Sequence, residues 1–208
     1  MNADPFDQVA AEIRAARAAA AGQENWRRIA PARFADATIE TLIGRGRAGE
    51  QIAEWSFGPE GRNLIITGPV GTGKTWAALA AVRGFVEAGS DVRFWPTVEL
   101  LDELRPGSTE TTTLEAACTC DVLVLDDLGV ERPTDWVAER LYAIVNRRWM
   151  DNRVTVATTN AATSDELAAH VGDRMRSRLV GSGAVVVRLT GPDRRKEPAT
   201  PTTKDQQP

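Results

Sequence analysis

Lysine is almost missing from this chain. Of its 25 basic residues only Lys74, Lys196 and Lys204 are lysines, and the last two lie in or beside a tail rich in proline, threonine and glutamine. The body of the protein therefore carries one lysine. Cysteine is equally scarce: Cys118 and Cys120 stand one residue apart, with no Cys/His cluster beside them to complete a tetrahedral metal site, and read as reduced and buried. Histidine occurs once, as His170, and reads as a helix-surface or packing residue. No apolar run approaches the roughly 20 residues of a membrane-spanning helix. The amino terminus also lacks the apolar centre of a secretion signal, so the chain is expected in the cytoplasm. Nor is there an excess of positive charge. A net charge of −4 argues against a protein that coats nucleic acid through its global field, while leaving room for local basic patches.

With 208 residues, 42% of them hydrophobic, the chain can bury one substantial core and carry a small appendage. Asp4-Pro5 resembles an N-cap followed by proline at the first helical position, opening an alanine-rich helix to Ala21 with Gly22 as its stop. Residues 1–25 are set apart on this basis as an N-terminal helical extension. Val9, Ile13 and Ala16 share one face of it, which suits either a reduced docking helix or a solvated, frayed one. Helical segments are expected at 37–43 and 51–55. Strands are then expected at 62–67, 92–95, 121–125, 154–157 and 184–189, separated by helical patterns at 73–88, 97–104, 113–117, 134–150 and 164–179. Such alternation implies a five-stranded parallel sheet covered by helices on both faces, a three-layer α/β sandwich spanning 26–196. The polar, proline-rich segment 197–208 is expected to be disordered.

The chemistry gathers at three strand ends. After the apolar run Leu64-Ile65-Ile66 comes Gly68-Pro69-Val70-Gly71-Thr72-Gly73-Lys74-Thr75, which fits the phosphate-cradling pattern G-x-x-x-x-G-K-[ST] with its required preceding strand. Glycines let such a loop close around phosphates with its N–H groups inward, and the helix that follows offers its positive end to the anion. Lys74, the solitary lysine of the body, would reach the β/γ-phosphates and the Thr75 hydroxyl would ligate Mg²⁺. Trp76 follows directly and is counted with the nucleotide-binding loop. The second strand end is Val122-Leu123-Val124-Leu125-Asp126-Asp127-Leu128, which delivers carboxylates to the edge where open α/β sheets bind ligands. Asp126 is expected to help hold Mg²⁺ and Asp127 to polarise the water attacking the γ-phosphate. The third is Val154-Thr155-Val156-Ala157-Thr158-Thr159-Asn160, whose terminal amide is assigned to sensing the γ-phosphate. Taken alone, the acids also fit a capped strand-to-loop junction and the asparagine an ordinary turn. Beside the phosphate loop they reinforce one another.

Together these residues resemble the AAA+ ATPases, and within them the replicative helicase loaders of the DnaC/DnaI type and the IstB-like transposition ATPases. The likeness covers residues 29–195. It is carried by Ile29-Ala30-Pro31-Ala32-Arg33-Phe34, the phosphate loop, Val92-Arg93-Phe94 running into Glu99-Leu100-Leu101-Asp102-Glu103-Leu104, Val124-Leu125-Asp126-Asp127-Leu128-Gly129, Thr158-Thr159-Asn160, and Gly172-Asp173-Arg174-Met175-Arg176-Ser177-Arg178-Leu179. The resemblance implies a P-loop NTPase fold, ATP and Mg²⁺ as ligands, and hydrolysis stimulated by oligomerisation and DNA. It implies that Arg178 is an arginine finger reaching a neighbouring subunit's γ-phosphate, with Arg174 next in line. It further implies that Arg195, ahead of Arg194, is a second nucleotide sensor. Arg174 and Arg178 lie four apart, on one face if the stretch is helical. The chain beyond Asn160 looks too short for the full helical lid of many relatives, so a neighbour in a homo-oligomer is expected to complete the pocket.

The leading functional expectation is an ATP-dependent loader of a replicative hexameric helicase onto single-stranded DNA, and its rival an IstB-like ATPase that assists a transposase on duplex DNA. A small-molecule phosphotransferase on the same loop would leave the Thr-Thr-Asn and Ser-Arg-Leu elements without a task. A nucleotide-dependent scaffold that barely hydrolyses gains weight from Asp127 standing where many related ATPases have glutamate. For nucleic acid, Phe94-Trp95 could stack on bases or pack in the core, and Arg147-Arg148 with Arg153 could meet phosphates. Arg45-Gly46-Arg47 forms a small basic loop with no assigned role.

Overall fold

The computed structural model of the chain describes residues 5–58, 61–106, 110–131, 134–181 and 183–194. Five strands, β1 (Leu64–Thr67), β2 (Val92–Pro96), β3 (Val122–Leu128), β4 (Val154–Thr159) and β5 (Val185–Arg188), form one parallel sheet in the order β2-β3-β4-β1-β5. The three inner strands are buried along almost their whole length rather than on alternate residues, because both of their faces are covered. Successive residues feed opposite cores. Leu64, Ile66, Val122, Val124 and Val156 pack beneath α1 (Pro5–Ile29), α2 (Gly46–Phe57) and α3 (Lys74–Glu87). Ile65, Leu123, Leu125 and Ala157 pack beneath α4 (Thr97–Glu103), α5 (Glu110–Thr119), α6 (Asp135–Met150), α7 (Ser164–Val171) and α8 (Asp173–Val180). The expected three-layer sandwich with five parallel strands is the observed architecture. After β5 the described chain continues to Arg194; Arg195 and the tail expectation for 197–208 fall outside the described residues.

Several local expectations are corrected. The first helix does not stop at Gly22 but runs on to Ile29. A Cβ at Gly22 would lie 3.0 Å from the backbone of Glu87, so this glycine is where α1 lies closest to the end of α3. The turns beyond it are anchored in the core: Trp26 is buried, donates its indole N–H to the Ala35 carbonyl at 2.8 Å, and lies under the Arg83 guanidinium at 5.2 Å. Segment 37–43 is a string of turns that buries Leu42, not a helix. The pattern at 164–179 splits at Gly172, whose φ of 82° ends α7 and sets the start of α8.

One member of the expected basic patch is also corrected. Arg148 is wholly buried on the core face of α6, donating to the carbonyls of Ala117 at 3.0 Å and Cys120 at 2.9 Å and to Thr155 Oγ1 at 3.1 Å. Its partners are the carbonyls where α5 turns into β3, which it satisfies in place of water. Arg147 pairs with Glu115 at 3.1 Å and Arg153 with Asp121 at 3.7 Å. Phe94 and Trp95 are half-buried against the two cores, as the packing alternative expected. Cys118 and Cys120 are free and buried, and burial pushes both thiols up from their ordinary pKa.

Candidate nucleotide site

The carboxyl ends of β1, β3 and β4 converge where the sequence places its three motifs. At the end of β1 the loop must turn beneath the strand leading out of β5: a Cβ at Gly68 would stand 2.3 Å from the Leu189 carbonyl oxygen, so only glycine fits. Lys74 opens α3 and is buried. Its ammonium donates to Asn160 Oδ1 at 2.7 Å and to the Pro69 carbonyl at 3.1 Å, which joins the phosphate loop to the tip of β4. One residue on, Thr75 Oγ1 donates to Asp126 Oδ2 at 3.0 Å, joining the same loop to β3.

Asp126 is buried at the end of β3, and burial pushes its carboxyl above the usual carboxylate pKa, with the Thr158 hydroxyl bond opposing and the Asp127 charge adding to the rise. Thr158 is the element that the motif reading missed. Its hydroxyl donates to Asp126 Oδ1 at 2.6 Å and accepts from the Asp127 N–H at 2.9 Å, so one side chain on β4 orients both acids. The signal lay in Thr158-Thr159, two polar residues continuing a buried strand: each hydroxyl bonds β3, Thr159 through the Leu128 carbonyl at 2.8 Å. Those bonds also explain why β4 extends beyond its apolar part. Asp127 has left-handed backbone (φ 55°) and is exposed, which turns its carboxylate out of the sheet and toward the loop. Behind it, His170 packs over Gly129, where a Cβ would meet Nδ1 at 2.9 Å, which gives the lone histidine a packing role.

A cleft of about 440 Å³ lies along the loop, lined by Arg33, Phe34, Arg45, Gly71, Gly73, Lys74, Thr75, Trp76, Asp127 and Arg194. Trp76 meets Phe34 edge-to-face, with ring centroids 6.4 Å apart, and its indole N–H is held by Thr41 Oγ1 at 2.8 Å. The aromatic pair gives this end of the cleft an apolar wall. Val70, at the crown of the loop, is 58% exposed. On the opposite flank the strap after β5 crosses the loop: the Arg194 N–H bonds the Gly71 carbonyl at 3.0 Å, and the Asp193 side chain lies against Gly71. Arg194 thus reaches the cleft from the position assigned to the second sensor, for which the sequence favoured Arg195. Thr75 and Asp126 supply the hard oxygen pair that suits Mg²⁺, an ion held through few protein ligands plus substrate phosphates.

The finger candidates lie elsewhere. The Arg178 guanidinium stacks on Trp149 at 4.1 Å and donates to Asn146 Oδ1 at 3.2 Å. Asn63, immediately ahead of β1, bonds the carbonyls of Arg178 and Leu179 at 3.3 and 3.0 Å, which fixes this end of α8 at the amino edge of the sheet. Arg178 is therefore at the edge opposite its own phosphate loop. Arg174, one turn earlier, is exposed and makes no side-chain hydrogen bond or ion pair among the described residues. Arg176 turns away from this face, within 3.7 Å of Asp173 and 3.4 Å of Ser164 Oγ.

The family model for the IstB-like ATP binding protein matches residues 42–186, well over half of the chain. The chain belongs to that family. Relatives of the IstB-like chain include an insertion-sequence protein of Mycobacterium tuberculosis named for ATP binding, 28% identical over 69% of this chain and 60% of its own length. The replicative helicase loader DnaC of Escherichia coli is 25% identical over 56% of this chain and 49% of its own. The IstB-like chain thus spans half to two thirds of these two relatives. Among solved structures, the DnaC helicase loader superposes with a TM-score of 0.69 at 27% identity, covering 77% of this chain and all of that one. DnaI superposes with a TM-score of 0.68 at 25% identity, covering 80% of this chain and 94% of that one. The P-loop NTPase fold read from the sequence is confirmed by these superpositions.

Proposed function

We propose that the chain binds Mg²⁺-ATP at the carboxyl edge of its sheet, hydrolyses it within a homo-oligomer, and uses the cycle to operate a client on DNA. The observation that carries this reading is the Thr75–Asp126 contact, a hydroxyl and a carboxylate from two motifs 51 residues apart brought together at 3.0 Å beside a buried lysine. When bound, Mg²⁺ would be held by these two oxygens and neutralise charge on the β/γ-phosphates. Lys74 exchanges its Asn160 and Pro69 partners for phosphate oxygens. Asp127, turned into the cleft, orients the attacking water, and the Asn160 amide released by Lys74 turns to the γ-phosphate. The base rests on the Phe34–Trp76 wall. Arg178, or Arg174 beside it, acts at the cleft of an adjoining subunit, since α8 delivers Arg178 to the edge away from its own loop.

Two clients share this core. The family model and the insertion-sequence relatives support assistance to a transposase on duplex DNA, whereas the DnaC and DnaI likeness supports loading a replicative hexameric helicase onto single-stranded DNA. Residues 1–25 are the segment for docking a client, and 26–196 form the ATPase domain. Among the described residues no helix is long and apolar enough to cross a membrane, and we place the protein in the cytoplasm. The test is affinity capture from the native host with ATP or a non-hydrolysable analogue, using Lys74→Ala as the nucleotide-blind control. A hexameric helicase or a transposase retained only by the wild-type protein identifies the client. A purified protein with no affinity for ATP at millimolar concentration refutes the reading.

A further inference from the structure

Two arginines meet in the cleft. Arg45 stands ahead of α2 and Arg194 follows β5, yet both side chains converge on Gly73, where a Cβ would lie 3.7 Å from Arg45 Nη1 and 3.8 Å from Arg194 Cδ. Neither side chain makes a hydrogen bond or ion pair among the described residues. Asp127 lines the same cleft and the Asp193 side chain lies against Gly71. Arg45 is half-buried, and burial together with the charge of Arg194 pushes its pKa below the ordinary arginine value. Arginine does not escape such a penalty by losing its proton, so the half-buried Arg45 guanidinium beside Arg194 is unfavourable until an anion joins it.

The backbone holds Arg45 in this position closely. A Cβ at Gly49 would fall 2.1 Å from the Leu42 carbonyl oxygen, so the first turn of α2 presses onto the 42–45 turn, and Leu42 beneath is buried. A half-buried, unpaired guanidinium on so tightly packed a turn is arranged for an anion. Which part of the anion follows from the layout. Lys74 Nζ, Asn160 and Asp126 mark the side where the terminal phosphate acts. Arg45 instead reaches the backbone of the loop at Gly73 and shares the cleft with Phe34 and Trp76, where the inner phosphates and the base would run.

We propose that Arg45 is a further nucleotide-binding residue, which clamps the inner phosphates of the bound nucleotide from the segment ahead of α2 and works with Arg194 across the phosphate loop. The proposal deepens the ATP-binding reading and rests on it. It also gives Arg45-Gly46-Arg47 a task that its sequence pattern left unassigned.

Equilibrium titration with fluorescent ADP and ATP tests it on the full chain, comparing wild type with Arg45→Ala, Arg45→Lys and Lys74→Ala, with circular dichroism to confirm each fold. Arg45→Ala should weaken ADP and ATP by the same factor, about 10- to 100-fold for a lost charge-assisted contact. Arg45→Lys, which keeps the charge without the fork, should recover part of that loss. Wild-type affinity for both nucleotides in Arg45→Ala, with binding abolished in Lys74→Ala, overturns the assignment and leaves the ATP-binding reading intact. A loss confined to ATP also overturns it, by moving the contact to the terminal phosphate. Absence of binding by the wild-type protein refutes the underlying reading instead.

Discussion

Replacing Asn160 with alanine should tighten nucleotide binding while slowing hydrolysis. Asn160 Oδ1 accepts from Lys74 Nζ at 2.7 Å. A triphosphate must displace that bond before it gains the lysine. Hydrogen bonds to charged groups contribute about 1.5–3 kcal/mol, and exposure of Asn160 to water puts this one at the lower end. Its removal therefore returns at most about 1.5 kcal/mol to binding, roughly a tenfold tightening for ADP and less for ATP, which also loses the amide at its γ-phosphate. Chemistry should respond in the opposite sense. Loss of a positioned polar group at the reacting phosphate costs on the order of 10²- to 10³-fold in kcat. Equilibrium titration of both nucleotides, with single-turnover hydrolysis on the same preparation, reads the two effects separately. A weakened ADP affinity with unchanged kcat would refute the reasoning, because it would make Asn160 a simple binding group and its bond to Lys74 irrelevant to exchange.

Asp126→Asn should raise the melting temperature of the nucleotide-free protein at neutral pH while abolishing Mg²⁺-dependent hydrolysis. Burial raises the Asp126 pKa, so the folded chain holds this proton more tightly than the unfolded one; the group favours folding most below its unfolded pKa, and that contribution is lost as pH rises through the folded value. A lower melting temperature for the variant would contradict this sign. For the same reason Mg²⁺-dependent ATP binding by the wild type should weaken on acidification at a higher pH than an ordinary carboxylate would give, as a pH series with and without Mg²⁺ would show. Arg178→Ala should bind ATP as the wild type does and lose about 10³-fold or more of oligomer-dependent turnover. Unchanged turnover there, with the loss appearing in Arg174→Ala, would transfer the role one turn along α8.

What the sequence revealed and what it hid follow one rule. Apolar runs such as Val122 to Leu125, and a glycine loop before a helix, carry their meaning locally, so the sheet, the phosphate loop and the two strand-end acids were legible. Arg148 was misread because charge in sequence says nothing of carbonyls some 30 residues away that bury and satisfy a guanidinium. Gly22 looked like a stop because its reason is the backbone of Glu87, on another helix. Thr158 bonds across to β3, and Arg45 meets Gly73 only through the fold, so neither had a local signature. Long-range partners decide each of these cases.

The placement of α8 has a geometric corollary. The phosphate loop and Arg178 occupy opposite edges of one sheet, so a contact that brings the arginine of one copy to the cleft of the next joins unlike surfaces. Two-fold pairing would serve both clefts only if one surface of each copy carried both edges. Head-to-tail addition instead propagates until it closes on itself or winds on as a spiral, and the terminal copy of an open spiral keeps one unanswered cleft.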